Sequence, residues 1–70
     1  MIMIFENAAF DPRKVSTIDI DFDKSNRHRL FMIVDGYKQE VDTHSDYITV
    51  RKWKDRLIKA INEELGEWKL

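Results

Sequence analysis

Seventy residues, 43% apolar and 36% charged, allow one hydrophobic core and leave no length for a second domain. Twelve Lys and Arg against thirteen Asp and Glu give a net charge of −1, which excludes a global field that would recruit nucleic acid or an anionic membrane. The absence of cysteine removes disulfide staples, thiolate nucleophiles and thiolate metal sites, and favours a reducing compartment.

Met1 to Phe5 is apolar and ends at Glu6. It is too short for the apolar core of a signal peptide and far short of the ~20 residues of a membrane span, so the chain reads as mature, cytoplasmic and without a membrane partner. The segment is expected to be a short strand at a sheet edge. Glu6 to Lys14, with Asp11-Pro12 inside it, reads as the connection into the next strand. One proline and two glycines argue against an internal linker, and there is no repeat.

Residues 16 to 22 alternate Ser16, Ile18, Ile20 and Phe22 with Thr17, Asp19 and Asp21, the period-two pattern of a strand with one buried face. A second run, His28 to Val34, leads through Asp35-Gly36 into Tyr37 to Asp42. Asp-Gly between such runs predicts a two-residue type I′ hairpin. That turn pairs Val34 with Tyr37, Ile33 with Lys38, Met32 with Gln39, Phe31 with Glu40, Leu30 with Val41 and Arg29 with Asp42. The preceding hairpin, closed by Asp23 to Arg27, pairs Ile20 with Leu30 and Ile18 with Met32. Ile18, Ile20, Phe22, Leu30, Met32, Val34, Tyr37 and Val41 then share one face.

Val50, Trp53, Leu57, Ile58, Ile61 and Leu65 recur at helical spacing, a stripe that covers this face. Thr49 or Asp46 is the expected N-cap, with the helix starting between residues 46 and 51, and Gly66 ends it. The expected fold is α+β: an antiparallel meander of about four strands with one C-terminal helix packed on one face.

Asp19, Asp21 and Asp23 invite comparison with a calcium loop, but Lys24 and Leu30 stand where that loop needs glycine and glutamate. The straight register instead lines up Asp21, Arg29 and Asp42 as a charge ladder. His28 and His44 fall on different elements, and a site joining them to Asp42 requires the Thr43 to Asp46 loop to fold back over the sheet. No nucleophile elbow, phosphate loop or zinc-protease motif is present, so neither an enzyme, a cofactor, a metal nor a small-molecule substrate is expected. A metal-dependent activity is the most remote alternative.

Two surfaces invite partners. Arg51, Lys52, Lys54, Arg56 and Lys59, with only Asp55 among them, give residues 51 to 59 a charge of +4 against −5 in the rest of the chain. Cations in the first half of a helix oppose the macrodipole, at a cost of ~0.3–1 kcal/mol each when exposed. Arg51, Lys52, Arg56 and Lys59 share an outward arc suited to an acidic protein or to phosphate, whereas Lys54 lies nearer the buried edge. On the sheet, Phe31 and Ile33 occupy the face the helix leaves open, where Met3 or Phe5 would extend an apolar interface. Alternatively the Phe5 to Pro12 segment wraps beneath and covers them. The apolar edge strand suits pairing with a second copy, unless the helix and Trp68 cover it.

The expected function is therefore a non-catalytic protein-binding module, with homodimerisation open and nucleic-acid binding through Arg51, Lys52, Arg56 and Lys59 as the alternative. In size and charge the chain is similar to small accessory or inhibitor proteins such as those of bacteriophages.

Overall fold

The computed structural model describes residues 1–67; Trp68 lies outside them. The chain runs through β1 (Met3–Phe5), β2 (Ala8–Phe10), a 3-10 turn (Pro12–Lys14), β3 (Val15–Phe22), β4 (His28–Val34), β5 (Tyr37–His44) and α1 (Tyr47–Leu65). A three-stranded antiparallel sheet, ordered β3-β4-β5, carries α1 on one face, and β1 and β2 form a separate hairpin. The fold is α+β, as the patterning predicts, with five strands in two sheets in place of a single four-stranded meander.

The extra strand corrects the reading of Glu6 to Lys14 as plain connection. Phe5 pairs with Ala8 across Glu6 and Asn7, and Glu6 takes a left-handed φ of 52°. No glycine marks the turn of this hairpin, and Ala8 and Ala9 in its second strand are poor strand formers whose pairing depends on tertiary contacts. Ala8 and Phe10 are buried in the main core, Ala9 points outward, and Gln39 Nε2 on β5 donates to the Ala9 carbonyl at 3.3 Å. Asp11 then caps the 3-10 turn by accepting from the Arg13 N–H at 3.0 Å. The Arg13 guanidinium grips both Asp11 oxygens and holds the carboxyl down to about 2.

Ser16 is a bulge between Val15 and Thr17, which lets Val15 and Ile18 both face the core at a spacing of three. Ile18 pairs with Met32 and Ile20 with Leu30, as the alternation requires. Asp35 and Gly36, at φ 53° and 84°, make the expected left-handed turn, and the pairs from Val34–Tyr37 to Phe31–Glu40 follow it.

Beyond Phe31 the expected register fails. Val41 bulges out of the ladder, so Leu30 pairs with Asp42, Arg29 with Thr43 and His28 with His44. Only Ser45 and Asp46 separate β5 from α1, and a bulge bends the strand toward the helix while keeping Val41 in the core. The Asp21–Arg29–Asp42 ladder is thereby broken: Arg29 faces Asp21 on one side and Thr43 on the other.

Asp46 is the N-cap of α1. Its carboxylate accepts from the Ile48 N–H at 3.2 Å and the Thr49 hydroxyl at 3.0 Å, contacts that hold its pKa below the ordinary value. Gly66 closes the helix at φ 72°, where its N–H reaches the Asn62 and Glu63 carbonyls. Val50, Leu57 and Ile61 are fully buried against Leu30, Met32, Val15, Ile18, Val41, Ala8 and Phe10, with Trp53, Ile58 and Leu65 at the margin. Two residues assigned to this core are instead exposed. Phe22 sits at the end of β3 and Tyr37 beside the hairpin turn, and at both the sheet runs past the helical cover.

Candidate protein-binding surfaces

The face of the sheet turned away from α1 is a network of charge over apolar groups. Arg29 donates from Nε and Nη2 to the two oxygens of Asp21, both at 2.7 Å, and Lys38 Nζ reaches the same carboxylate at 2.6 Å. The Lys38 ammonium lies 4.3 Å from the centroid of the Phe31 ring, so its stem crosses the ring on the way to Asp21. Arg29 first and Lys38 second hold the Asp21 carboxyl well below the usual carboxylate range, against an opposing contribution from partial burial.

A folded-state pKa below the unfolded one adds stability that is present above about pH 4 and fades as pH falls below it toward the folded value. Asp21→Asn is expected to lose about 1–2 kcal/mol at pH 7, from the bidentate pair and the lysine contact together. Its urea midpoint should also vary less than that of the wild type between pH 5 and pH 2.5.

Phe31 and Ile33 are half-buried and stand outside the core cluster. Met3 and Phe5 do not join them. Both pack on the core, because the β1–β2 hairpin takes the helix side of the molecule, and the exposed apolar residues of this segment are Met1, Ile2 and Ile4. The same placement leaves the outer face uncovered by the Phe5 to Pro12 segment. Changing Phe31 and Ile33 together to Thr is expected to lower stability by less than about 2 kcal/mol in urea melts. A loss of about 4 kcal/mol or more would reveal a second core on this face.

On α1, Arg51, Lys52, Arg56 and Lys59 are all exposed. Arg51 lies 3.8 Å from Asp55 and Lys59 lies 4.0 Å from Glu63, both exposed pairs of small energetic weight. The Tyr47 hydroxyl, and then Asp55, raise the Arg51 pKa. Lys52 and Arg56 have no carboxylate partner among the described residues. Lys54 is the half-buried cation and crosses to Asp19 on β3 at 3.6 Å. The first turn of α1, Tyr47 to Val50, is uncharged and follows the acidic N-cap Asp46, so the expected conflict of the cations with the macrodipole is not realised: Arg51 and the cations after it lie past the turn in which the dipole acts, and Glu63 and Glu64 in the last turn are the charges that stand against it.

The histidines, placed on separate elements by the sequence reading, are cross-strand neighbours because of the Val41 bulge. His44 Nδ1 accepts the Asp46 N–H at 2.9 Å, and its ring meets Trp53 edge-on at 5.9 Å. His28 lies 4.9 Å from the Phe22 ring and 5.3 Å from the Tyr47 ring. An aromatic corner, Phe22–His28–Tyr47, thus stands where the sheet end meets the start of the helix. Phe22 is 59% exposed, Tyr47 43% and the neighbouring Ile48 58%. Phe22 escaped the sequence reading because alternation assigns a face without showing how far along the strand the helix reaches; its place next to the Asp23 to Arg27 loop was the available signal.

The three aspartates of the D-x-D-x-D run diverge. Asp19 accepts from the Ile20 N–H and faces Lys54, Asp21 holds Arg29 and Lys38, and Asp23 accepts from the Ser25 and Arg27 N–H groups inside its loop. Among the described residues no three His, Asp or Glu side chains converge as metal ligands, and no helix is long and apolar enough to cross a membrane. A shallow groove of about 490 Å³ runs along the second half of α1, lined by Ile58, Asn62 and Gly66 between Asp55, Lys59, Glu63 and Glu67. Comparison with protein families, characterised proteins and solved structures finds no match to this chain.

Proposed function

We propose that this protein is a non-catalytic binding module whose partner is a protein with an acidic surface, met by the cationic face of α1. The observation that carries the reading is the pair Lys52 and Arg56, exposed on the outward arc of α1 and without carboxylate partners among the described residues. Arg51, Lys54 and Lys59 have acidic neighbours within the chain, whereas Lys52 and Arg56 leave positive charge that an acidic partner would balance. The −5 borne by the rest of the chain opposes a polyanion that extends past the helix, which favours a compact acidic protein surface over nucleic acid. The outer sheet face is the weaker candidate, since Lys38 already covers Phe31 and both Lys38 and Arg29 are paired with Asp21.

The test is site-specific photo-crosslinking in the source cell, with the photoreactive group at Arg56 and, as control, at Lys24 in the loop between β3 and β4. The reading expects a protein adduct from position 56 alone. The recovered partner, purified and titrated, should lose affinity for the K52E/R56E double variant and bind more weakly as salt rises. Adducts with nucleic acid, together with log K falling linearly with log salt on an oligonucleotide, would replace this reading with the nucleic-acid alternative. Light scattering on the isolated chain reports whether a second copy is itself the partner.

A further inference from the structure

We infer that the Phe22–His28–Tyr47 corner is the apolar anchor site of that interface, and that it takes an aromatic or branched aliphatic side chain flanked by acidic residues of the partner. The inference rests on the acidic-partner reading and adds to it a place and a chemistry. Two of the three rings are large and solvent-exposed, yet they form a contiguous platform, with centroid separations of 4.9 and 5.3 Å through His28. Ile48, also exposed, follows Tyr47 in the first turn of α1. Exposed aromatic groups beside arginine match the composition of binding hot spots, in which a buried anchor supplies most of the energy and charged neighbours orient it.

Charge around the corner selects the flanks of the anchor. Arg51 stands one turn along α1 from Tyr47, and Lys52 follows it, so a segment resting on Phe22 and Tyr47 meets cations where it continues along the helix. Asp46 and Asp23 are the neighbouring acids. The Asp46 oxygens accept from the Ile48 N–H and the Thr49 hydroxyl, and Asp23, next to Phe22, accepts from the Ser25 and Arg27 N–H groups, so each charge is engaged by its own helix start or loop. On the sheet side the corner is backed by His28 and His44, and His44 is occupied with the Asp46 N–H and Trp53.

Three labelled probes test the inference by fluorescence anisotropy: a nine-residue peptide of Glu and Gly with a central Trp, the same peptide with Ala in place of Trp, and a dT12 oligonucleotide. The Trp peptide should bind roughly tenfold more tightly than the Ala peptide, the effect of one well-seated anchor. Phe22→Ser and Tyr47→Ser should each abolish that advantage, while K52E/R56E weakens both peptides alike. Amide and ring resonances of Phe22, His28 and Tyr47 in the wild-type protein should shift with the Trp peptide and not with the Ala peptide, a readout that stands even if a variant fails to fold.

Equal binding of the two peptides, still weakened by K52E/R56E, would overturn the anchor and leave the acidic-partner reading in place. Failure of both peptides to bind would overturn both. Phe22-dependent binding of dT12 tighter than that of the Trp peptide would overturn the inference in favour of base stacking.

Discussion

Leu30→Ala should lower the stability of this protein by about 3–5 kcal/mol, because it empties the centre of the only core found among the described residues. Leu30 is fully buried on the central strand, pairs with Ile20, and belongs to the cluster formed with Met32, Val50, Leu57 and Ile61. Leucine truncation in such a site removes the transfer free energy of the lost carbons and leaves a cavity that the neighbours close only in part. A domain of this length has roughly 4–10 kcal/mol of total stability, so the variant keeps at best about 7 kcal/mol and at worst is unfolded at room temperature. Urea denaturation followed by circular dichroism reads this directly as a lowered midpoint. A loss of less than about 1.5 kcal/mol would mean that the site collapses freely and that α1 is not firmly seated on the sheet.

Phe10→Ala is expected to cost about 3–5 kcal/mol, as much as a change in the centre of the main sheet. Phe10 lies on a three-residue strand in a two-stranded hairpin, a unit with no stability of its own in water. Its ring is nevertheless 3% exposed and belongs to the same cluster as Leu57 and Ile61. The hairpin is thus a flap of core held by Phe10 and Ala8, with Met3 and Phe5 behind them and one side-chain hydrogen bond from Gln39. The comparison that isolates the effect is Phe31→Ala on the outer face, where the ring is half-buried under a lysine and the expected loss is about 1 kcal/mol. Similar losses for the two phenylalanines would show that the two faces of the sheet contribute equally to folding. Native-state hydrogen exchange on Phe10→Ala should show early loss of protection in residues 1 to 14 if the hairpin detaches as a unit.

The two functional proposals rest on surfaces that the fold leaves over once its core is satisfied. The arginine–aspartate–lysine network protects the outer sheet face, and the same network gives that face its acid sensitivity through Asp21. Nothing within the described chain balances Lys52 and Arg56 in this way, and Phe22, touched by the His28 ring, stays largely exposed. The cationic helix face and the aromatic corner meet at Tyr47 and Arg51, so one partner can engage both.

Short-range pattern carries the parts of the molecule where a local rule has one solution. Alternation from Ser16 to Phe22, the Asp35-Gly36 turn with its two left-handed residues, and the Val50–Leu57–Ile61 stripe dictate three strands, their pairing near the turn and the helix that covers them. Asp46 and Gly66 mark the ends of that helix by chemistry that needs no tertiary partner. The exposed positions of Arg51, Lys52, Arg56 and Lys59 follow from helical periodicity alone.

Three features depend on packing across the whole chain. The bulge at Val41 exists because β5 must bend toward a helix only two residues away, and it shifts every later pair, bringing His44 beside His28. The side taken by the β1–β2 hairpin, and with it the burial of Met3, Phe5 and Phe10, is set by the space left beside α1, which no local spacing reports. The exposure of Phe22 is decided by how far the helix extends over the sheet. Periodicity states which face a residue occupies, whereas burial also requires that another element reach it. The aromatic corner therefore came to light only in three dimensions.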